Sequence, residues 1–214
     1  MKLRTLSLAL TIAGVSAIST AYADDTHKSG FYAGVSGGYN DMSLPANYTD
    51  STDGAITFSN KKYMFGLHGG YFFDLGSGFD VGPAITANYY GPAEANSANN
   101  GYMTIHDYSI GLQATGQYTW QSFFARAHVG ESYFFLRGEP TNSNNAGDNE
   151  NQWKPVAGLS IGYYFTPSIN VGLFYDHVFG SNMGTHSDVI SQPSMNSLGL
   201  SLEYAFGGIG DSSN

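Results

Sequence analysis

Along most of the chain, apolar side chains alternate with small or polar ones at a period of two, the signature of strands with two chemically different faces. Eight stretches carry this pattern: Phe31–Asn40, Lys62–Asp74, Gly78–Tyr90, Tyr102–Trp120, Ser122–Gly138, Gln152–Phe165, Ser168–Gly180 and Asn196–Phe206. Clusters of Gly, Asn, Ser, Asp or Pro bound each stretch, and no helical periodicity of useful length occurs after the first 23 residues. The last stretch is the clearest. Leu198, Leu200, Leu202, Tyr204 and Phe206 alternate with Ser197, Gly199, Ser201, Glu203 and Ala205.

The connections alternate in length. Long ones follow the first, third, fifth and seventh stretches, at 41–61, 91–101, 139–151 and 181–195, whereas "LGS", a turn at Gln121 and "TPS" follow the others. An even number of strands with segregated long and short connections predicts an all-β fold. It is an eight-stranded antiparallel up-and-down transmembrane β-barrel with four long extracellular loops and three short periplasmic turns.

Alternation by itself also fits a soluble barrel of opposite polarity. The polar face decides between them. It is built largely from Gly, Ser, Thr, Asn and Gln, where a water-facing exterior would carry dense Lys and Glu. Glycine weakens a strand but gives room inside a narrow barrel. Aromatic residues make up 15% of the chain against 12% for all charged residues, about half the usual charged share. The apolar face therefore reads as lipid-facing, with Tyr39, Tyr71, Phe73, Tyr89, Tyr118, Phe123, Tyr163 and Phe165 as interfacial girdles.

The first residues have another character. Lys2 and Arg4 precede the apolar run "LSLALTIAGVSAI", and "AYA" ends at Ala23, the layout of a secretory signal peptide. The expected division is a signal peptide over 1–23, a transmembrane barrel over 24–206 and a short periplasmic tail over 207–214. Loss of Lys2 and Arg4 takes the eight basic residues to six against 17 acidic ones, which argues against nucleic acid as a partner. Cysteine is absent, so no disulfide framework is available. After the signal no run of apolar residues is long enough for a helical span.

"GFYAGVSGGY" resembles the first strand of the OmpA-like and opacity-type small outer-membrane barrels, and "SLGLSLEYAF" resembles their closing strand with its terminal-aromatic assembly signal. The resemblance implies a multi-pass protein of the bacterial outer membrane, surrounded by outer-membrane lipid and lipopolysaccharide and inserted by the barrel-assembly machinery through its C-terminal strand. It implies a role in adhesion, colonisation or envelope integrity. One departure is the tail "GGIGDSSN" after Phe206, too short for a peptidoglycan-binding domain.

Parity places Asp80, Asp107, Arg126, Lys154, Asp176, Glu203, His68 and His128 in the lumen. Buried charges persist when paired and hydrogen-bonded, so an interior pairing network is expected, with Glu203 meeting Arg126, Lys154 or a histidine. A gated conduit for ions is the alternative. Asp176 and His177 in "YDHVF" point to opposite faces and make no catalytic pair. "GTHSD" has His186 beside Ser187 in a loop, unlike the His-x-Ser arrangement of lipid A deacylases. The acidic stretches 50–54 and 146–151 lack EF-hand spacing, and His27, His106 and His186 are too scattered for zinc. No catalytic, cofactor or metal site is expected.

Function on such a scaffold resides in its loops. Leu44, Pro45, Tyr48, Ile56 and Phe58 in the first loop are the candidate anchors for a host or cell-surface ligand. The reading is a non-enzymatic surface protein; the alternatives are a small channel or transporter for small solutes and a lipid-modifying enzyme.

Overall fold

The structure, a computed structural model, describes residues 29–42, 48–50, 54–58, 61–97, 101–140, 149–180 and 194–206. These form ten strands: β1 (Gly30–Met42), β2 (Tyr48–Asp50), β3 (Gly54–Phe58), β4 (Lys61–Gly76), β5 (Phe79–Ser97), β6 (Gly101–Trp120), β7 (Phe123–Pro140), β8 (Asn149–Thr166), β9 (Ile169–Val178) and β10 (Met195–Phe206). Eight of them close an antiparallel barrel in the order β1-β4-β5-β6-β7-β8-β9-β10, with β10 returning to β1. Closure removes every sheet edge along the wall. The seam runs from Phe31 opposite Phe206 to Met42 opposite Met195.

Side chains alternate across this wall as the period-two pattern requires. In β10, Leu198, Leu200 and Leu202 are about half exposed or more, whereas Ser197, Ser201 and Glu203 between them are buried. Phe65, Leu67, Ile85, Leu112, Leu159 and Ile161 are likewise exposed on the outside. A continuous apolar exterior of this extent has no stable place in water, and a closed strand barrel satisfies its backbone groups without any solvent. The chain therefore spans a membrane. Aromatic pairs ring both ends, among them Phe123–Tyr163 with ring centroids 5.1 Å apart and Tyr89–Tyr108, also 5.1 Å apart.

The short connections are tight. At the first, Gly76 and Gly78 have φ of 84° and 81° with Ser77 at 54° between them, a left-handed run that glycine enters without penalty. Asp74 Oδ1 accepts from Gly76 N at 2.7 Å and Ser29 Oγ accepts from Asp74 N at 2.9 Å, which fixes this turn to the start of the chain's first strand. Gln121 holds the second turn at φ 53°.

The long connections differ from the sequence expectation. The pairing of β5 with β6 continues past a bulge at Tyr90/Ala93 up to Ser97 opposite Gly101, so most of 91–101 is strand. The region 139–151 is likewise entered by β7 and β8. Within 41–61, β2 and β3 form a hairpin, and β3 pairs with the end of β5 from Ile56 opposite Ser97 to Phe58 opposite Ala95. These stretches are rich in Asn, Ala, Ser and Gly, which have low β-propensity. The ladder below them supplies the partner strand and carries the pairing onward.

The interior is layered. Met42, Met64, Tyr90, Phe134, Leu136, Val156, Phe174, Val178 and Met195 form one apolar cluster at the long-loop end, while Tyr32, Phe72, Ala84 and Ala205 form another at the short-turn end. The inward face, read from the sequence as largely small and polar, thus also carries bulky apolar side chains towards both ends. An eight-stranded interior is just wide enough for side chains to fill, and bulk at both ends fills it.

Leu200→Arg, at mid-belt, is expected to lower stability by about 2–4 kcal/mol and Leu75→Arg, beside the first short turn, by about 0–1 kcal/mol. Denaturant titration of the protein refolded in phospholipid vesicles reads the difference; equal losses would argue against a lipid-facing belt.

Candidate functional site

The middle layer contains a charged cluster assembled from five strands. Arg126 on β7 donates through Nη1 to Glu203 Oε1 at 2.5 Å and through Nη2 to Glu203 Oε2 at 2.7 Å, a two-pronged contact with β10. His68 on β4 lies with Nε2 2.8 Å from Glu203 Oε1, and Asn170 on β9 donates to Oε2 at 3.2 Å. Gln117 on β6 accepts from Arg126 Nε at 3.0 Å and from Nη2 at 2.8 Å. Its own amide donates to Thr119 Oγ1 and Tyr164 OH. Each of these strands places an inward side chain at the same depth, because parity and register together leave no other face for it.

The guanidinium is also enclosed by rings. Arg126 Cζ lies 5.2 Å from the ring centroids of Tyr32 and Phe72 and 5.1 Å from that of Phe124. A cation surrounded by π-faces and paired with a carboxylate keeps its charge away from water. Room for the cluster comes from glycine. A Cβ on Gly34 would stand 2.6 Å from His68 Nε2 and 2.7 Å from Glu203 Cγ, closer than real contacts allow.

A second pair lies further up. His128 Nε2 and Asp176 Oδ1 are 3.0 Å apart, within ion-pair distance, yet neither atom has an aligned hydrogen-bond partner. Between this pair and the Arg126 cluster is a cavity of about 70 Å³, lined by Ser36, Thr86, Gln113, His128, Asp176 and Glu203 among others. Its polar lining and size suit a few ordered waters.

Of the remaining charges, Asp80 borders the cluster, while Asp107 and Lys154 stand nearer the long-loop end. Asp80 is opposite Gln117, which is itself opposite Arg126; Asp107 is opposite Tyr90, and Lys154 opposite Ser132. Asp176 faces the lumen while His177, on the outer face, has Nδ1 2.8 Å from Asn196 Oδ1. The two do not form a dyad. His106 is on β6; Leu44, Pro45, His27, His186 and Ser187 lie outside the described residues, as do 51–53 and 146–148 of the two acidic stretches. The backbones of Tyr48, Ile56 and Phe58 belong to β2 and β3.

Gln117, Asn170 and the rings of Tyr32, Phe72 and Phe124 are not singled out from sequence, nor are Thr119 and Tyr164 beside Gln117. Each lies on the inward parity of its own strand, set by His68 for Phe72, Asp107 for Gln117, Arg126 for Phe124 and Asp176 for Asn170, which is the signal that marks them. Glu131 is the opposite case. It shares the outward parity of Val129 and Tyr133 and is exposed on the apolar wall.

No protein-family model matches the chain. An uncharacterized protein of Coxiella burnetii (strain RSA 493 / Nine Mile phase I) is 25% identical over 86% of this chain and 88% of its own length. Among solved structures, Neisserial surface protein A is similar with a TM-score of 0.56 and 13% identity, covering 82% of this chain and 97% of that one. The outer membrane protein OprG from Pseudomonas aeruginosa gives 0.53 and 14%, covering 83% and 97%. These likenesses show the fold: that of small eight-stranded outer-membrane barrels.

Arg126→Met or Glu203→Leu alone leaves an uncompensated buried charge and is expected to cost about 3–5 kcal/mol. The double variant should recover most of that loss. A double-mutant cycle by denaturant unfolding in detergent micelles measures it; strictly additive losses would mean that the two side chains do not depend on each other.

Proposed function

We propose that the chain is a non-enzymatic protein of the bacterial outer membrane that holds its long-loop end outside the cell to contact a host or cell-surface ligand, or to support envelope integrity. The apolar belt and the signal-like residues 1–23 favour this location. The carrying observation is the height of one side of the barrel. Strands β5, β6, β7 and β8 have 18 to 20 residues, whereas β9 has 10 and β10 has 12. A tilted strand crosses the hydrocarbon core with about 9–11 residues.

The surplus on β5–β8 therefore stands beyond the membrane as continuous sheet. The β2–β3 hairpin is joined to its edge through β5. A paired sheet presents loop residues on a rigid support, which lowers the ordering cost that a free loop meets on binding. Tyr48, Ile56 and Phe58 belong to this hairpin, Leu44 precedes it in the sequence, and all four remain the proposed contacts.

A conduit is less well supported. The apolar layer with Met42, Met64, Phe134 and Met195 lies between the central cavity and the long-loop end, and Tyr32 and Phe72 lie on the other side. Lipid chemistry is less well supported too, because the hydroxyls and histidines that share a face, such as Ser36, His68 and His128, line the central cavity inside the barrel and not the lipid-facing wall.

Deleting Ala46–Ala55 is expected to abolish attachment of cells expressing the protein, while the unboiled sample keeps the gel mobility of a folded barrel. Attachment unchanged by the deletion would overturn the role of the first loop. In planar bilayers the refolded protein is expected to show no stable unit conductance; a stable step above leak would favour the channel.

A further inference from the structure

One polar group on the outer wall has no part in the lumen cluster. At the long-loop end three strands place His177, Asn196 and Asp41 side by side on one rung, since His177 is opposite Asn196 and Asn196 opposite Asp41. The rung below carries Tyr175, Leu198 and Tyr39 in the same order. Tyr175 OH donates to Asn196 Oδ1 at 2.7 Å, and His177 Nδ1 is 2.8 Å from the same oxygen. An amide oxygen only accepts, so His177 carries its proton on Nδ1 and turns Nε2 away from Asn196. The His177 ring is further fixed edge-on against Phe179, with centroids 4.5 Å apart.

The result is a concave site of about 390 Å³ lined by Tyr39, Asp41, Tyr175, Asn196 and Leu198. It combines an amide, a carboxylate and a phenol hydroxyl with Tyr39, which is 70% exposed, while the His177 imidazole holds the amide from the side. Acceptors and donors in this mixture, next to an open aromatic face, match the hydroxyls and the apolar face of a pyranose ring. They match a bare phosphate poorly, because Asp41 would repel it.

Height selects the source of the sugar. The polar rung stands directly above exposed Leu198, Leu200 and Leu173, so a molecule seated here has lipid-facing wall immediately beneath it. We propose that Tyr39, Asp41, Tyr175 and Asn196, the last oriented by His177, bind the saccharide headgroup of an outer-leaflet glycolipid, whose acyl chains lie along Leu198, Leu200 and Leu173. This rests on the outer-membrane reading and gives the lipid partner of that reading a site on the barrel.

The test uses the full mature chain refolded into phosphatidylcholine nanodiscs and titrated with rough lipopolysaccharide or with phosphatidylglycerol, with bound lipid counted by native mass spectrometry. Wild type is expected to retain lipopolysaccharide in preference to phosphatidylglycerol, and Asn196→Ala and Tyr39→Leu to weaken that retention about tenfold each. Equal retention by wild type and both variants would overturn the site. So would equal retention of the two lipids, or binding of the deacylated saccharide as tight as that of the whole glycolipid. Boiled and unboiled gel mobility of each sample reads barrel formation separately: a wild type that shows no shift defeats the membrane reading, whereas a folded wild type without preference for the glycolipid defeats only this site.

Discussion

The contact between Arg126 and Glu203 governs the interior of this barrel. Arg126 is 8% exposed and Glu203 is 3% exposed, so neither charge has water to fall back on, and each makes the other tolerable. The pair joins β7 to β10 across the lumen, and its partners add β4, β6 and β9. Burying two charges is costly even when they are paired. Such an arrangement contributes less to stability than to specificity: only the register that brings β7 and β10 to this depth satisfies both. A slip of one residue in either strand would send one charge into lipid.

Narrowness explains much of the composition. Eight strands enclose space for one layer of side chains from each wall, so every bulky inward group needs a small one facing it. Gly34 lies under the His68–Glu203 contact, and Gly158 lies under the second pair, where a Cβ would stand 2.6 Å from His128 Cε1. The abundance of glycine in strands follows from this crowding rather than from any need for flexible backbone. Arg126 in turn can be held by three rings because Tyr32, Phe72 and Phe124 converge from β1, β4 and β7 on one level.

Much of this was legible in the sequence because parity is absolute in a strand. A charge such as Glu203, flanked by Leu202 and Tyr204, identifies the inward face without reference to any other strand. What parity does not give is depth. Whether Arg126, Lys154 or Asp107 lies level with Glu203 depends on the stagger of the closed sheet, which is a property of eight strands together. For the same reason the apolar layer containing Met42, Met64 and Met195 was hidden: these residues share the inward parity but come from three different strands. The extension of β5 to Ser97 was hidden for another reason. Its Asn, Ala and Ser residues have no strand signal of their own and pair because β6 is already beside them.

Glu131 shows where the inside-outside rule bends. It points outward, opposite Leu112 on one side and Pro155 on the other, in a wall that is otherwise apolar at this height. The rung above it holds Tyr133 and Trp153, whose rings lie 5.1 Å apart. That pair belongs to the aromatic girdle of the long-loop end, so Glu131 stands one rung inside the interface rather than at mid-membrane. The penalty for a lipid-facing charge falls steeply towards the interface and is smaller for acidic than for basic residues. A glutamate can also extend its carboxylate towards the headgroups while its methylenes cover the wall, as other amphipathic side chains do. The alternation is therefore strict where the surroundings are hydrocarbon and permissive where they turn polar, and the same gradient sets the polar rung of Asp41, Asn196 and His177 at the level of the headgroups.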